Sequence, residues 1–443
     1  MFQTFKNAWK VPEIKNKLLF TLLIVILYRI GANIPVPYVD EGVFKEASNM
    51  MAGTILQYLN IISGEALAKA TLFALGVSPY ITSSIVVQLL TVVFPKLQEW
   101  SKNGEEGRKK INLMTRIITV GLALVTSIGY VFYLDGNNWL TEELNLFRGA
   151  VIVACYCAGA ALIMWLAEKI NEKGLGNGIS MILFANIIAG TFTLFSNIWS
   201  GIMPAKGFSW VGLVIGIVEI LAILAAIVLI VRVTDAERRI PVQYAKRVVG
   251  RKMYGGQNTN LPIKVNMSGV MPIIFANSIV GIPAIITSFT GSELKTEAGK
   301  LTFAGWIDKY FNYDTWPYLI VFFALLIFFA YFYVEISFNP VEVANNIKNN
   351  GGAILGIRPG KPTVEYIKKV LRRITLVGAL FVAIIAVVPM IAVVIESMIG
   401  KSAYFANIAF GGSSLMIVVG VVLETVRELE AQLTMRNYKG FLD

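Results

Sequence analysis

The sequence predicts an all-α membrane protein that crosses the bilayer ten times, and three observations carry this reading. The 443-residue chain is 56% hydrophobic with a mean hydropathy of +0.66, a balance found in multi-span membrane proteins rather than in soluble domains. Ten apolar runs are of the length needed to cross a hydrocarbon core of about 30 Å. Most of the 39 lysines and arginines fall in segments on the side of the N-terminus, the asymmetry that marks cytoplasmic loops.

Leu18 to Ile34 is the first span. Lys6, Lys10, Lys15 and Lys17 precede it as they would in a signal peptide, but the run is long, lacks an A-x-A exit and is followed by Pro35 and Pro37. Thr54 to Leu67, TILQYLNIISGEAL, would reach only about 21 Å as a helix, and Ser63, Gly64 and Glu65 break it. It is too short to span, which leaves a re-entrant, interfacial or lid segment. Ala70 to Phe94 would reach about 37 Å as one helix, yet it carries Gly76, Ser78, Pro79, Thr82, Ser83, Ser84 and Gln88. Lipid is a poor partner for these groups. Val77, Ile81, Ser84 and Gln88 share one helical stripe, aliphatic at one end and polar at the other. The stripe suits a wall running from a wet vestibule to a dry constriction; its small residues also suit plain helix packing.

The remaining spans are Asn112 to Leu134, Arg148 to Ile170, Asn177 to Ile198, Trp210 to Val233, Asn266 to Phe289, Thr315 to Phe338, Leu371 to Ile395 and Tyr404 to Val426. An even number puts both termini on one side, the inner side by the basic-residue count. Five spans per half make the sixth enter from the side opposite to the first. Related halves, 1–200 and 201–443, would then form an inverted repeat with the functional site between them.

Outer loops are short apart from the 54–67 element and a polar stretch from Gly291 to Asp314. Two inner loops are long. One, within 234–264, alternates apolar and basic residues around Val242 to Tyr254 and predicts a short hairpin turning at Gly255-Gly256. The other, Asn339 to Arg373, holds the turn Arg358-Pro359-Gly360 and the basic cluster Lys368, Lys369, Arg372 and Arg373. Their charge fits any inner loop; their length suits the docking of a large partner with an acidic or phosphate-rich surface.

The sequence has no histidine, which removes HExxH zinc sites and Ser-His-Asp triads together. Cys155 and Cys157 lie two apart in an apolar run and suit neither a disulfide nor a metal clip. Gly174, Gly176 and Gly178 in KGLGNGIS have G-x-G-x-G spacing with no strand before them, so they predict a helix N-terminal turn rather than a phosphate loop. No cofactor and no enzymatic activity is expected, and energy input falls to a partner or a gradient. Glu219 is the one acidic residue well inside a span.

The motifs LFALGVSPYITSSIVVQLL, GLGNGIS, RRIPVQYAKR, LPIKVNMSGVMPIIFA, GIRPG and ITLVGA, in that order, resemble the SecY family, channel subunits of the bacterial protein translocase. The resemblance runs from RIGANIPVP near the first span to FGGSSL in the tenth. It implies ten helices in two inverted halves around an hourglass pore in the cytoplasmic membrane, with both termini cytoplasmic. An aliphatic ring would fall on Val77, Ile81, Ile179, Leu183, Ile274 and Ile417, where the family more often has isoleucine at Val77 and Leu183. A plug closing the pore from outside would be the 55–67 element, with Ile55, Leu56, Leu59, Ile61, Ile62 and Leu67. A lateral gate between spans two and three and spans seven and eight would include Thr82, Gln88, Asn277 and Ser278. The inner loops, with Arg238, Arg239, Lys246, Arg247, Arg251, Arg358 and Lys361, would dock the ribosome and the SecA motor. Small membrane subunits SecE and SecG, nascent secretory and membrane chains, and the surrounding lipid complete the implied partners.

Two other classes fit parts of the sequence. An ion-coupled transporter with five-plus-five inverted repeats shares the span count, but the sparse charge inside the spans and the two basic loops argue against it. An intramembrane enzyme lacks a histidine, a G-x-S-x-G motif and a clear acid pair.

Overall fold

The structure, a computed structural model, describes residues 2–40, 55–203, 210–244, 247–249, 252–254, 258–289, 305–306, 310–311, 315–399 and 411–439. A short helix α1 (Phe2–Lys10) leads into α2 (Pro12–Gly31), where Pro12 occupies the first turn, a place that needs no N–H donor. Then follow α3 (Ile55–Ser63), α4 (Ser78–Val93), α5 (Pro95–Lys102), α6 (Gly104–Gly136), α7 (Leu146–Lys173), α8 (Gly178–Ile202) and α9 (Trp210–Asp235). Strands β1 (Glu237–Tyr244), β2 (Arg247–Val249), β3 (Lys252–Tyr254) and β4 (Asn258–Lys264) precede α10 (Met271–Phe289), α11 (Trp316–Ser337) and α12 (Pro340–Asn349). The chain ends with β5 (Gly352–Ile354), α13 (Lys361–Ile399) and α14 (Gly411–Lys439).

Each of the ten apolar runs carries one helix: α2, α4, α6 to α11, α13 and α14. Among the described residues, five of these, α6, α7, α9, α11 and α13, are by themselves long and apolar enough to cross a bilayer. The second span differs from expectation. Its helix starts at Ser78 instead of Ala70 and reaches about 24 Å. The backbone turns through 70–77, with Gly76 at φ +56°, and restarts as a helix at Ser78-Pro79. At its other end α4 meets α5 through a 109° bend at Phe94-Pro95.

Helix α6 packs on α4 and α7, α7 on α8, and α2 against α7 and α8. In the second half α11 lies between α10 and α13, and α14 packs on α13 and α9. The two sets meet along two seams, α10 against α4 and α6, and α8 against α9 and α14. The short α3 touches both α8 and α10.

The inner loops form one body rather than two. Strand β1 pairs antiparallel with β4 and with β5, giving the order β4-β1-β5, with Ile240 opposite Leu261 and Val242 opposite Ile354. Ile240, Val242, Ile263, Ile347, Ile354 and Ile367 bury a small core beneath it. The predicted hairpin exists, but Val249 pairs with Lys252, so the chain reverses there; Gly255-Gly256 lie outside the described residues. Lys368, Lys369, Arg372 and Arg373, expected in the loop, ride on the first turns of α13. The Thr4 hydroxyl meets Glu430 at 3.2 Å, and Arg427 donates to Asp235 at 2.6 Å. Both terminal helices and the sheet therefore share one end of the bundle.

Candidate pore, plug and gate

The segment from α3 to α4 is irregular backbone inside an apolar bundle, so each of its polar groups needs a partner that lipid cannot provide. Positive φ at Gly64 (+68°), Glu65 (+69°) and Ala70 (+48°) turns the chain back on itself. Local side chains satisfy part of the return: Asn60 Oδ1 accepts from Ala68 N at 2.9 Å and Ser63 Oγ from Leu67 N at 3.2 Å. Surrounding helices supply the rest. Tyr130 of α6 donates to the Leu67 carbonyl at 2.5 Å, Tyr156 of α7 to that of Ala70 at 3.2 Å, and Asn186 of α8 to that of Ile62 at 2.6 Å.

This segment straddles two apolar cores. Ile62 is buried in the central one, with Ile61 packed against it. Leu56 and Leu67 are buried in the other, among Tyr130, Leu134, Trp139 and Ile152, with Leu59 against them. Ile55 begins α3, and its side chain is outside the described set.

The six predicted ring residues all fall in or against the central apolar cluster. Val77 stands at the N-cap of α4 and Ile81 one turn in; Ile179 and Leu183 occupy the first turns of α8, Ile274 the first turn of α10, and Ile417 the second turn of α14. Val77, Ile81, Leu183, Ile274 and Ile417 are buried in the same central cluster as Ile62, and Ile179 packs against it. Flexible aliphatic side chains from helices of both halves of the sequence thus share one apolar core with Ile62 of the α3 segment. Such a cluster excludes water and can re-close around any shape.

Thr82 and Gln88 lie half-buried on α4, and Asn277 (buried) and Ser278 (half-buried) on α10, the two helices of one seam. Thr82 donates to the Ser78 carbonyl at 3.1 Å, Ser278 to that of Ile274 at 2.8 Å, and Gln88 to Ser84 Oγ at 3.3 Å, each within its own helix. On the α4 side, Ser83 Oγ lies 2.5 Å from Thr119 Oγ1, which ties α4 to α6.

At the inner end, Arg238 and Arg239 on β1, Arg358 in the turn after β5, and Lys361 at the start of α13 are exposed. The β1–β5 pairing holds them in one rigid unit. Arg239 is bridged to Glu237 at 2.7 Å. Arg247 lies in β2; Lys246 and Arg251 fall outside the described residues. Arg427 of α14 also donates to the Thr234 carbonyl at 2.8 Å, fastening the end of α9, just before the sheet begins, to α14. Lys264 beside it has its pKa lowered, first by burial and then by the Arg427 charge.

Asn177 caps α8, accepting from Ile179 N at 3.1 Å, and a Cβ at Gly178 would sit 1.9 Å from the Ala167 carbonyl oxygen. GLGNG is thus a tight turn between α7 and α8, as the spacing predicts. Glu219 is buried on α9, which packs on α8 and α14. The residues that fasten the α3 segment, Tyr28, Tyr130, Tyr156 and Asn186, did not stand out in the sequence. Asn186 carried a signal, since it continues the stripe Ile179, Leu183 at helical spacing as its one polar member.

A bundle of apolar helices of spanning length, with a short helix and its irregular return packed between them, is a multi-span membrane protein. The SecY family model matches residues 71–426. Relatives include the SecY subunits of the protein translocase of Streptomyces coelicolor, 44% identical, and of Streptomyces galbus and Mycobacterium bovis, each 42% identical, all matched over 100% of both chains. A solved protein-conducting channel superposes with a TM-score of 0.60 at 19% identity over 96% of both chains. Sec61 from a canine ribosome–channel complex of the endoplasmic reticulum gives 0.56 at 18% identity, also over 96% of both. The chain belongs to the SecY family. Its fold is the ten-helix membrane fold of that family, two five-helix halves about a central pore with a short plug helix.

Proposed function

We propose that the chain is a protein-conducting channel, which passes unfolded secretory polypeptides across the bacterial cytoplasmic membrane and releases membrane segments sideways into lipid. The observation that supports this is that Val77, Ile81, Leu183, Ile274 and Ile417, drawn from both halves of the sequence, are buried in one apolar core with Ile62. A pore that must pass every side chain cannot use a charged filter, since fixed charges would retain some segments and repel others. In this reading the ring is the seal, α3 with its return is the plug, and the α4/α6–α10 seam, extended by α11, is the gate. The self-contained hydrogen bonds of Thr82, Gln88 and Ser278 leave the seam cheap to part when an apolar segment competes for it.

The relatives' membership in a protein translocase, and the ribosome-bound state of the Sec61 neighbour, support docking of a ribosome or a SecA motor on the basic sheet. SecE and SecG would complete the complex in the membrane, with both termini and the sheet facing the cytoplasm. The chain itself would perform no covalent chemistry; the motor or the ribosome would supply the energy. Reconstitution tests this: purified complex in liposomes should import a secretory precursor only with motor and ATP. Uptake of a small solute driven by an ion gradient, with no precursor import, would support the transporter reading instead.

A further inference from the structure

One polar cluster on the pore side of the bundle is not used by the ring, the gate or the docking sheet. Asn186 is completely buried on α8, one turn beyond Leu183. Its Nδ2 donates both to the Ile62 carbonyl at 2.6 Å and to the Tyr28 hydroxyl at 2.8 Å. Arg29, the next residue of α2, donates to the Gly64 carbonyl at 3.4 Å. Among the described residues, Asn186 Oδ1 has no hydrogen-bond partner. The place a Gly64 side chain would occupy lies 2.5 Å from Arg29 Nη1 and 2.7 Å from Asn186 Oδ1, so the cationic donor and the acceptor converge on the same open side of Gly64.

We propose that Asn186, Tyr28 and Arg29 form a latch that holds the plug shut and stays satisfied when the plug leaves, a proposal that rests on the plug reading above. Closed, the latch grips the Ile62 and Gly64 carbonyls through α2 and α8, helices of one half only. Opening the seam against α10 therefore does not by itself pull the latch apart. Once the Gly64 carbonyl withdraws, Arg29 loses that acceptor, and its guanidinium turns to Asn186 Oδ1, which lies on the same side. A buried polar group left without a partner is costly; exchanging one partner for another is not. The latch is thus bistable, and Gly64 fits because any larger residue would collide with both of its arms.

The test uses the full translocase complex in planar bilayers, with Leu59→Cys as a plug reporter and Cys155 and Cys157 replaced by serine. Asn186→Leu keeps the branched shape, at somewhat larger volume, and removes both donors. We expect resting ion conductance to rise about tenfold, the scale of one lost buried hydrogen bond. Maleimide labelling of Leu59→Cys from the outer side should accelerate in parallel. Tyr28→Phe keeps the ring that stacks on Phe73 at 5.3 Å and should give the same changes at smaller size. Higher conductance with unchanged labelling would show that Asn186 acts through packing of the ring and would overturn the latch. Neither changing in either variant would overturn it as well. Faster labelling without a leak would uphold the latch but overturn the plug as the seal.

Discussion

The Tyr130 hydroxyl donates to the Leu67 carbonyl across 2.5 Å, from near the C-terminal end of α6 to a turn that has no helical partner of its own. Both residues are buried, and Tyr130 also meets Tyr156 edge-on at 5.2 Å. This pair shows how a membrane bundle tolerates broken backbone: side chains from neighbouring helices take the place of water.

Tyr130→Phe keeps the aromatic packing and strands a buried carbonyl. It should lower stability by about 1–3 kcal/mol, read as a fall in the thermal unfolding midpoint of the detergent-solubilised chain. Tyr156→Phe, which loses the longer 3.2 Å bond to Ala70, should cost less. Equal and negligible effects would mean that the return is held by apolar contacts alone.

Ile81→Asn places an amide in the central apolar core and should hydrate the closed pore. Single-channel recording is expected to show resting conductance well above wild type, while Ile81→Leu stays near it. Conductance that is unchanged by the asparagine would remove Ile81 from the ring.

Gly178→Val forces a side chain against the Ala167 carbonyl, where even a Cβ would stand at 1.9 Å. Helices α7 and α8 would have to part, at a cost of about 1–3 kcal/mol or more. Folded yield after detergent extraction should fall sharply, and Gly190→Ala, which meets nothing within 4 Å, should be tolerated.

Much of this was legible in advance because lipid imposes a simple rule on sequence. Ten apolar runs gave ten helices, and the aliphatic positions Val77, Ile81, Leu183, Ile274 and Ile417 are buried in one apolar core. The start of α4 was not legible, since apolar residues such as Leu72, Phe73 and Leu75 read as membrane span even where Gly76 at positive φ breaks the helix. Hydropathy reports burial, and these residues are packed by protein. The β1–β5 pairing was missed because the two strands lie far apart in the chain and β5 has three residues. The latch was missed because Asn186 and Tyr28 acquire meaning only when α2 and α8 come together.

Arg358→Glu and Arg238→Glu reverse charge on the exposed face of the sheet without touching its core. Ribosome binding, measured by co-sedimentation, should weaken about tenfold at low salt. The difference from wild type should shrink toward 1 M salt, where the screening length is about 3 Å. A salt-independent loss would point to misfolding of the sheet instead of lost electrostatics.

The central claim is that a polypeptide passes between the two halves, through the ring. A photo-crosslinking residue placed at Ile81 on α4, and separately at Ile274 on α10, should react with a secretory chain stalled part-way through export. Crosslinks from both positions are the predicted result. A stalled chain that crosslinks to control positions on the inner sheet but to neither Ile81 nor Ile274 would contradict the pore and return the transporter reading to contention.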